Sequence, residues 1–200
     1  MNLKLKKNWV ALLSFFLFIP LPAYAHTGIG QTMGFVHGLT HPFTGWDHIL
    51  AMVAVGIWAS QTGGKGIWTI PATFVGIMSF GGLLGAIGIK LPLFEEGIAM
   101  SVLILGVLIA AAKRLPLIAS TILVGLFAVF HGYAHGNEMP GAAPGLPYGM
   151  GFALATTLLH LCGINMGSLF LKMDRLKVIR YTGGAIAMGG IYLFAVCIWG

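Results

Sequence analysis

The chain is 200 residues long, 58% hydrophobic and only 8% charged, with 11 Lys and Arg against 5 Asp and Glu. Soluble domains carry about 25% charged residues, so this composition excludes a water-soluble enzyme and a nucleic-acid-binding domain, and it makes the lipid bilayer the first partner. The expected fold class is an all-α integral membrane protein.

The N-terminus has Lys4, Lys6 and Lys7, then an apolar run over residues 9–21, then Ala23-Tyr24-Ala25. These are the three parts of a secretory signal with an A-x-A cleavage site. The run is also shorter than the roughly 20 apolar residues a comfortable span needs. Residues 1–25 are therefore expected to be a cleaved signal peptide, with an uncleaved signal anchor as the alternative, and residues 26–200 a single six-helix membrane domain. Cleavage leaves His26 first, where its free amine and imidazole form a chelating pair unless the residue belongs to a frayed tail. Residues 28–40, apolar but short and Gly-containing, read as a partial helix or re-entrant piece that carries His37.

Six spans follow, expected at residues 45–61, 67–89, 97–112, 117–135, 148–171 and 179–199. With a translocated N-terminus they put Lys65, Lys113, Arg114, Lys172, Arg175, Lys177 and Arg180 in cytoplasmic loops and leave Lys90 outside, as the positive-inside rule requires. The expected location is a bacterial-type cytoplasmic (inner) membrane, with both mature termini extracytoplasmic. Asp47, Glu95, Glu96 and Glu138 then lie on the outer side, where arriving cations meet acids and histidines. Gly81, Gly85 and Gly88 share one helix face, and so do Gly183, Ala187 and Gly190; small residues at that spacing let helices approach closely in lipid. The Pro/Gly-rich stretch at residues 136–147 reads as an external loop, with a lid as its functional reading. No motif repeats in the second half of the chain, so an inverted repeat built around equivalent sites is not indicated.

Two polar stretches interrupt the apolar pattern. In the first, His41, Asp47 and His48 sit at the lip of a helix, with Met52 four residues beyond His48. In the second, His131 and His135 are four apart, one turn along the same helix face, with Glu138 three further on. That spacing lets imidazoles share one ion, and Asp47 can serve as a ligand or as the partner that fixes an imidazole tautomer. Imidazole with carboxylate suits Ni, Co, Zn or Cu, whereas Mg and Ca call for oxygen alone.

Plainer readings stand beside these. Thr44 and Asp47 have the spacing of a helix cap and its acidic partner. His41 before Pro42 is placed to close a turn, and His131 and His135 are placed to bond neighbouring helices. His160 falls mid-span, as a waypoint for an ion or an imidazole satisfied by helix carbonyls. Met52 reads as a gap-filling side chain as readily as a ligand. Cys162 and Cys197 have no metal-type spacing.

The run His41-Pro42, Gly45, Asp47-His48, Ala51-Met52-Val53-Ala54-Val55-Gly56 resembles the opening signature of the HupE/UreJ family, and His131-Gly132-Tyr133-Ala134-His135-Gly136 with Glu138 is similar to its second signature. The resemblance covers essentially the whole chain. It implies a nickel permease associated with metal supply to hydrogenase or urease, with some relatives assigned to cobalt, and it leaves nickel and cobalt both open. The positions it implies as functional are His41, Asp47, His48, His131, His135 and Glu138. No prosthetic group is implied, the dication being the substrate, and a homo-oligomer stays open. Two other classes compete: an intramembrane zinc hydrolase built on His131 and His135 around an activated water, and a membrane cytochrome with two axial histidines.

Overall fold

The computed structural model describes residues 31–139 and 145–199. The signal segment, His26 and the middle of the 136–147 loop lie outside the described residues. Each expected apolar segment forms a helix: α1 (Gln31–Thr40), α2 (Trp46–Thr62), α3 (Gly66–Ala86), α4 (Phe94–Ala110), α5 (Leu117–Asn137), α6 (Gly145–Lys172) and α7 (Leu176–Trp199), with a 3-10 turn at His41–Phe43 between α1 and α2. No strand occurs among the described residues. The partial helix expected before the first motif is α1, ten residues long.

Four helices, α3, α5, α6 and α7, are long and apolar enough by length and composition to cross a membrane. The other two expected spans, α2 and α4, have 17 residues each, the lower edge of the range that spans a bilayer. Their surroundings account for the difference. Helix α2 is buried almost continuously from Ala51 to Gln61, which is the pattern of a helix enclosed by protein on all sides. It packs on α6, α4, α3 and α7 and forms the centre of the bundle.

Around α2 stand three close helix pairs, α3 with α5, α4 with α7, and α2 itself with α6, while α1 lies against α6. Small residues make each approach possible. A Cβ on Gly132 would overlap the Met78 carbonyl, one on Gly106 the Ala187 backbone, and one on Gly56 the His160 carbonyl. Lipid offers no hydrophobic drive between helices, so such backbone proximity is what dispersion forces need. Gly81 and Gly85 pack on α5 as their spacing suggests, and Gly183 and Gly190 pack on α4. Gly88 does not join them: it lies beyond α3 at φ +75 with nothing near it, ending the helix in a left-handed conformation.

The antiparallel order of the helices sorts charge. Asp47, Glu95 and Glu138 meet at one end of the bundle around a single cavity. Lys65, Lys113, Arg114 and Lys172 follow the opposite ends of α2, α4 and α6. That far end is tied by side chains to carbonyls at and just beyond the end of α4: Trp58 Nε1 donates to Lys113 O at 2.9 Å, Gln61 Nε2 to Ile109 O at 3.2 Å and Arg180 Nε to Ala110 O at 2.8 Å.

Candidate metal centre

The turn between α1 and α2 positions His41. Pro42 follows His41 in the 3-10 turn, and Thr44 closes it twice on the His41 carbonyl, through its N–H at 3.0 Å and its hydroxyl at 2.7 Å. Thr44 is therefore not a helix cap: the cap position of α2 is Gly45, and no side chain bonds it. Asp47 Oδ1 instead accepts the His48 N–H at 2.8 Å. A Cβ at Gly45 would collide with Oδ1 at 2.5 Å, so a residue without a side chain makes room for that carboxylate.

Fixed in this way, the His41 ring meets the end of α5. His41 Nε2 lies 3.2 Å and His135 Nδ1 3.4 Å from Glu138 Oε2, the second contact spanning one helical turn. The His41 and His135 rings meet edge to face at 4.9 Å. One ligand atom from each of His41, His135 and Glu138 falls within 4.8 Å of the others. Two imidazoles and a carboxylate in such a triangle fit a borderline divalent metal and leave other coordination positions to water. The Glu138 carboxyl is pulled down to about 2, first by hydrogen bonding to His135 and then to His41, against the opposing push of partial burial. It is thus an anion throughout the physiological range, as a ligand must be.

A file of polar groups leads inward from the triangle. His135 Nε2 is 3.1 Å from His48 Nδ1, and His48 Nε2 is 3.2 Å from the Thr156 hydroxyl, which also lies 3.8 Å from Met78 Sδ. His131 sits beside His48 with ring centroids 5.6 Å apart and meets the Ser101 hydroxyl at 2.8 Å. Deeper still, His160 packs against Phe74 at 5.3 Å, and neither of its nitrogens has a hydrogen-bond partner among the described residues. His48, His131 and His160 are all essentially inaccessible to solvent. Phe152 supports the upper file, 4.5 Å from the His135 ring and 5.1 Å from the His48 ring.

A polar cavity of about 330 Å³ opens onto the triangle, with His41, Asp47, Glu95, His135, Glu138 and Cys197 among its walls. A larger one of about 610 Å³ lies on the other side of His135, walled mainly by apolar side chains such as Leu83, Leu146 and Phe152. The acidic side chains line the smaller cavity.

The sequence-derived candidates thus separate by place. His41, His135 and Glu138 converge. Asp47 lines the cavity outside their triangle, and His48 and His131 lie below it. His131 and His135, one turn apart, part company: His135 joins the triangle and His131 turns to Ser101. Met52 is wholly buried in the apolar core, and His37 is exposed on α1. The free thiols of Cys162 and Cys197 form no disulfide. Sequence reasoning passed over Ser101, Phe74, Phe152 and Met78, and gave Thr156 no role. Ser101 had a usable signal, being the one hydroxyl in α4, where a polar group inside an apolar span invites a functional reading.

A family model described as HupE / UreJ protein matches residues 13–193. The chain belongs to the HupE/UreJ family. Protein HupE of Rhizobium leguminosarum bv. viciae is 46% identical over 177 residues, covering 88% of this chain and 92% of that relative. No solved structure matches. In this HupE/UreJ chain the two signature stretches, about ninety positions apart in sequence, face one another across the mouth of a single cavity.

Proposed function

We propose that this HupE/UreJ protein is a permease or facilitator for a divalent transition metal, Ni²⁺ in the first place and Co²⁺ as the alternative, and not an enzyme. The observation that carries this reading is the His41, His135 and Glu138 triangle at the mouth of a polar cavity, continued inward by His48. A resident catalytic metal needs one fixed site with a single position open to water or substrate. Imidazoles repeated at increasing depth suit an ion that moves on.

In this reading α2 through α7 make six crossings, the 17-residue α2 and α4 being accepted because protein encloses much of them. The Glu138 end faces outward and the Lys- and Arg-bearing end faces the cytoplasm. Cavity acids, Asp47 among them, concentrate the dication, the triangle strips part of its water, and His48, His131 and His160 receive it in turn. An inside-negative potential supplies about 2.3 kcal/mol per charge per 100 mV, so a dication gains about twice that, without any coupled ion. Ligands must remain weak enough to release, as in any conducting site, and three ligands sharing the cavity with water meet that requirement.

The test is uptake of Ni²⁺, with Co²⁺ and Zn²⁺ in parallel, into proteoliposomes under an imposed inside-negative potential, for the purified protein and its His135→Ala variant. Saturable nickel or cobalt uptake that the variant loses is the expected result. Tightly held zinc with no flux above empty liposomes would overturn it in favour of an intramembrane hydrolase.

A further inference from the structure

Ser101 carries more information than a satisfied hydroxyl usually does. Its Oγ lies 2.6 Å from the Ile98 carbonyl oxygen and 2.8 Å from His131 Nε2. A carbonyl oxygen has no proton to give, so the 2.6 Å contact requires the single hydroxyl hydrogen of Ser101. Toward His131 the serine can then only accept, and the proton in that contact belongs to Nε2. A neutral imidazole has one N–H, which leaves Nδ1 with a bare lone pair. That atom is buried, and no described residue donates to it. Protonating it as well would bury an N–H with no acceptor, which is unfavourable.

We propose that Ser101 is a positioning residue: it holds His131 in the Nε2–H tautomer so that Nδ1 is the ligand offered to the dication at the level of His48. The proposal rests on the transport reading above. It is the arrangement seen when an outer hydrogen bond fixes the tautomer of a metal-binding histidine. Thr156 does not impose the same choice on His48. Its other contact is the weak 3.8 Å approach to Met78 Sδ, so its hydrogen remains free to point at His48 Nε2. His48 can exchange its tautomer as an ion passes, and His131 is held.

The experiment uses ¹⁵N-histidine-labelled full-length protein in bilayers without metal, with solid-state NMR reporting which His131 nitrogen is protonated, and nickel uptake measured on the same preparations. Wild type shows Nε2 protonated and Nδ1 bare. Ser101→Ala spreads the proton over both nitrogens and lowers uptake at subsaturating nickel by about tenfold to hundredfold, the usual effect of losing such a partner. Ser101→Thr restores both readouts. Ser120→Ala, which removes another buried hydroxyl remote from the histidines, changes neither. A wild-type His131 protonated at Nδ1, or a Ser101→Ala protein with undiminished uptake, overturns the proposal. Should wild type show no flux at all, the transport reading fails, and the tautomer spectrum still decides the role of Ser101.

Discussion

Glu138→Gln removes one charge from the triangle while keeping its shape. A carboxylate oxygen binds a dication at about 2.1 Å, and at the dielectric constant of water charges of +2 and −1 at that distance attract by about 4 kcal/mol. The Glu138 side chain keeps 53% of its surface exposed, so screening and lost hydration remove about half of this attraction. The amide oxygen of Gln still reaches the metal, and the net loss is then about 2 kcal/mol, or about thirtyfold in Kd. Equilibrium titration of the purified protein with Ni²⁺ at neutral pH measures it, with uptake on the same samples. The expected outcome is a Kd raised tenfold to hundredfold on the scale of that estimate, and half-maximal uptake displaced in the same direction. A folded Glu138→Gln protein that binds nickel as tightly as wild type would refute the assignment of Glu138 as a ligand.

Three further outcomes are expected. The folded carboxyl of Glu138 lies below its ordinary value of 4.5, at about 2, so its contribution to stability is complete above about 4.5 and is lost as pH falls from there through about 2; the melting difference between wild type and Glu138→Gln, small for so exposed a group, should be constant from neutral pH to about 5 and close below it. Gly132→Val drives a side chain into the Met78 carbonyl and should cost about 1–3 kcal/mol by overpacking, seen as a lower melting temperature, whereas Gly76→Ala on the open face of α3 should be nearly silent. His160→Ala should abolish most flux while leaving nickel affinity at the mouth within about threefold of wild type, a ratio well below the tenfold that 1.4 kcal/mol represents; an affinity loss equal to the flux loss would mean that His160 acts through the fold.

The sequence by itself determined the positions of the apolar helices, the sorting of basic residues to one end, and the two polar stretches that carry the candidate ligands. These are legible because each depends on local composition or on spacing within one helix: an apolar run forms a helix whatever its neighbours, and His131 and His135 share a face by helical periodicity alone. Tertiary structure decided the rest. That His41 and Glu138 meet depends on a 3-10 turn landing against the end of α5, ninety-seven positions apart in sequence. That His131 leaves its one-turn neighbour for Ser101 depends on how α4 lies beside α5, and that α2 can be short depends on the four helices packed around it. The helix pairs behind those relations, α3 with α5, α4 with α7 and α2 with α6, meet by Gly–backbone approaches. Each such approach requires two particular surfaces to face one another, and neither surface alone encodes its partner.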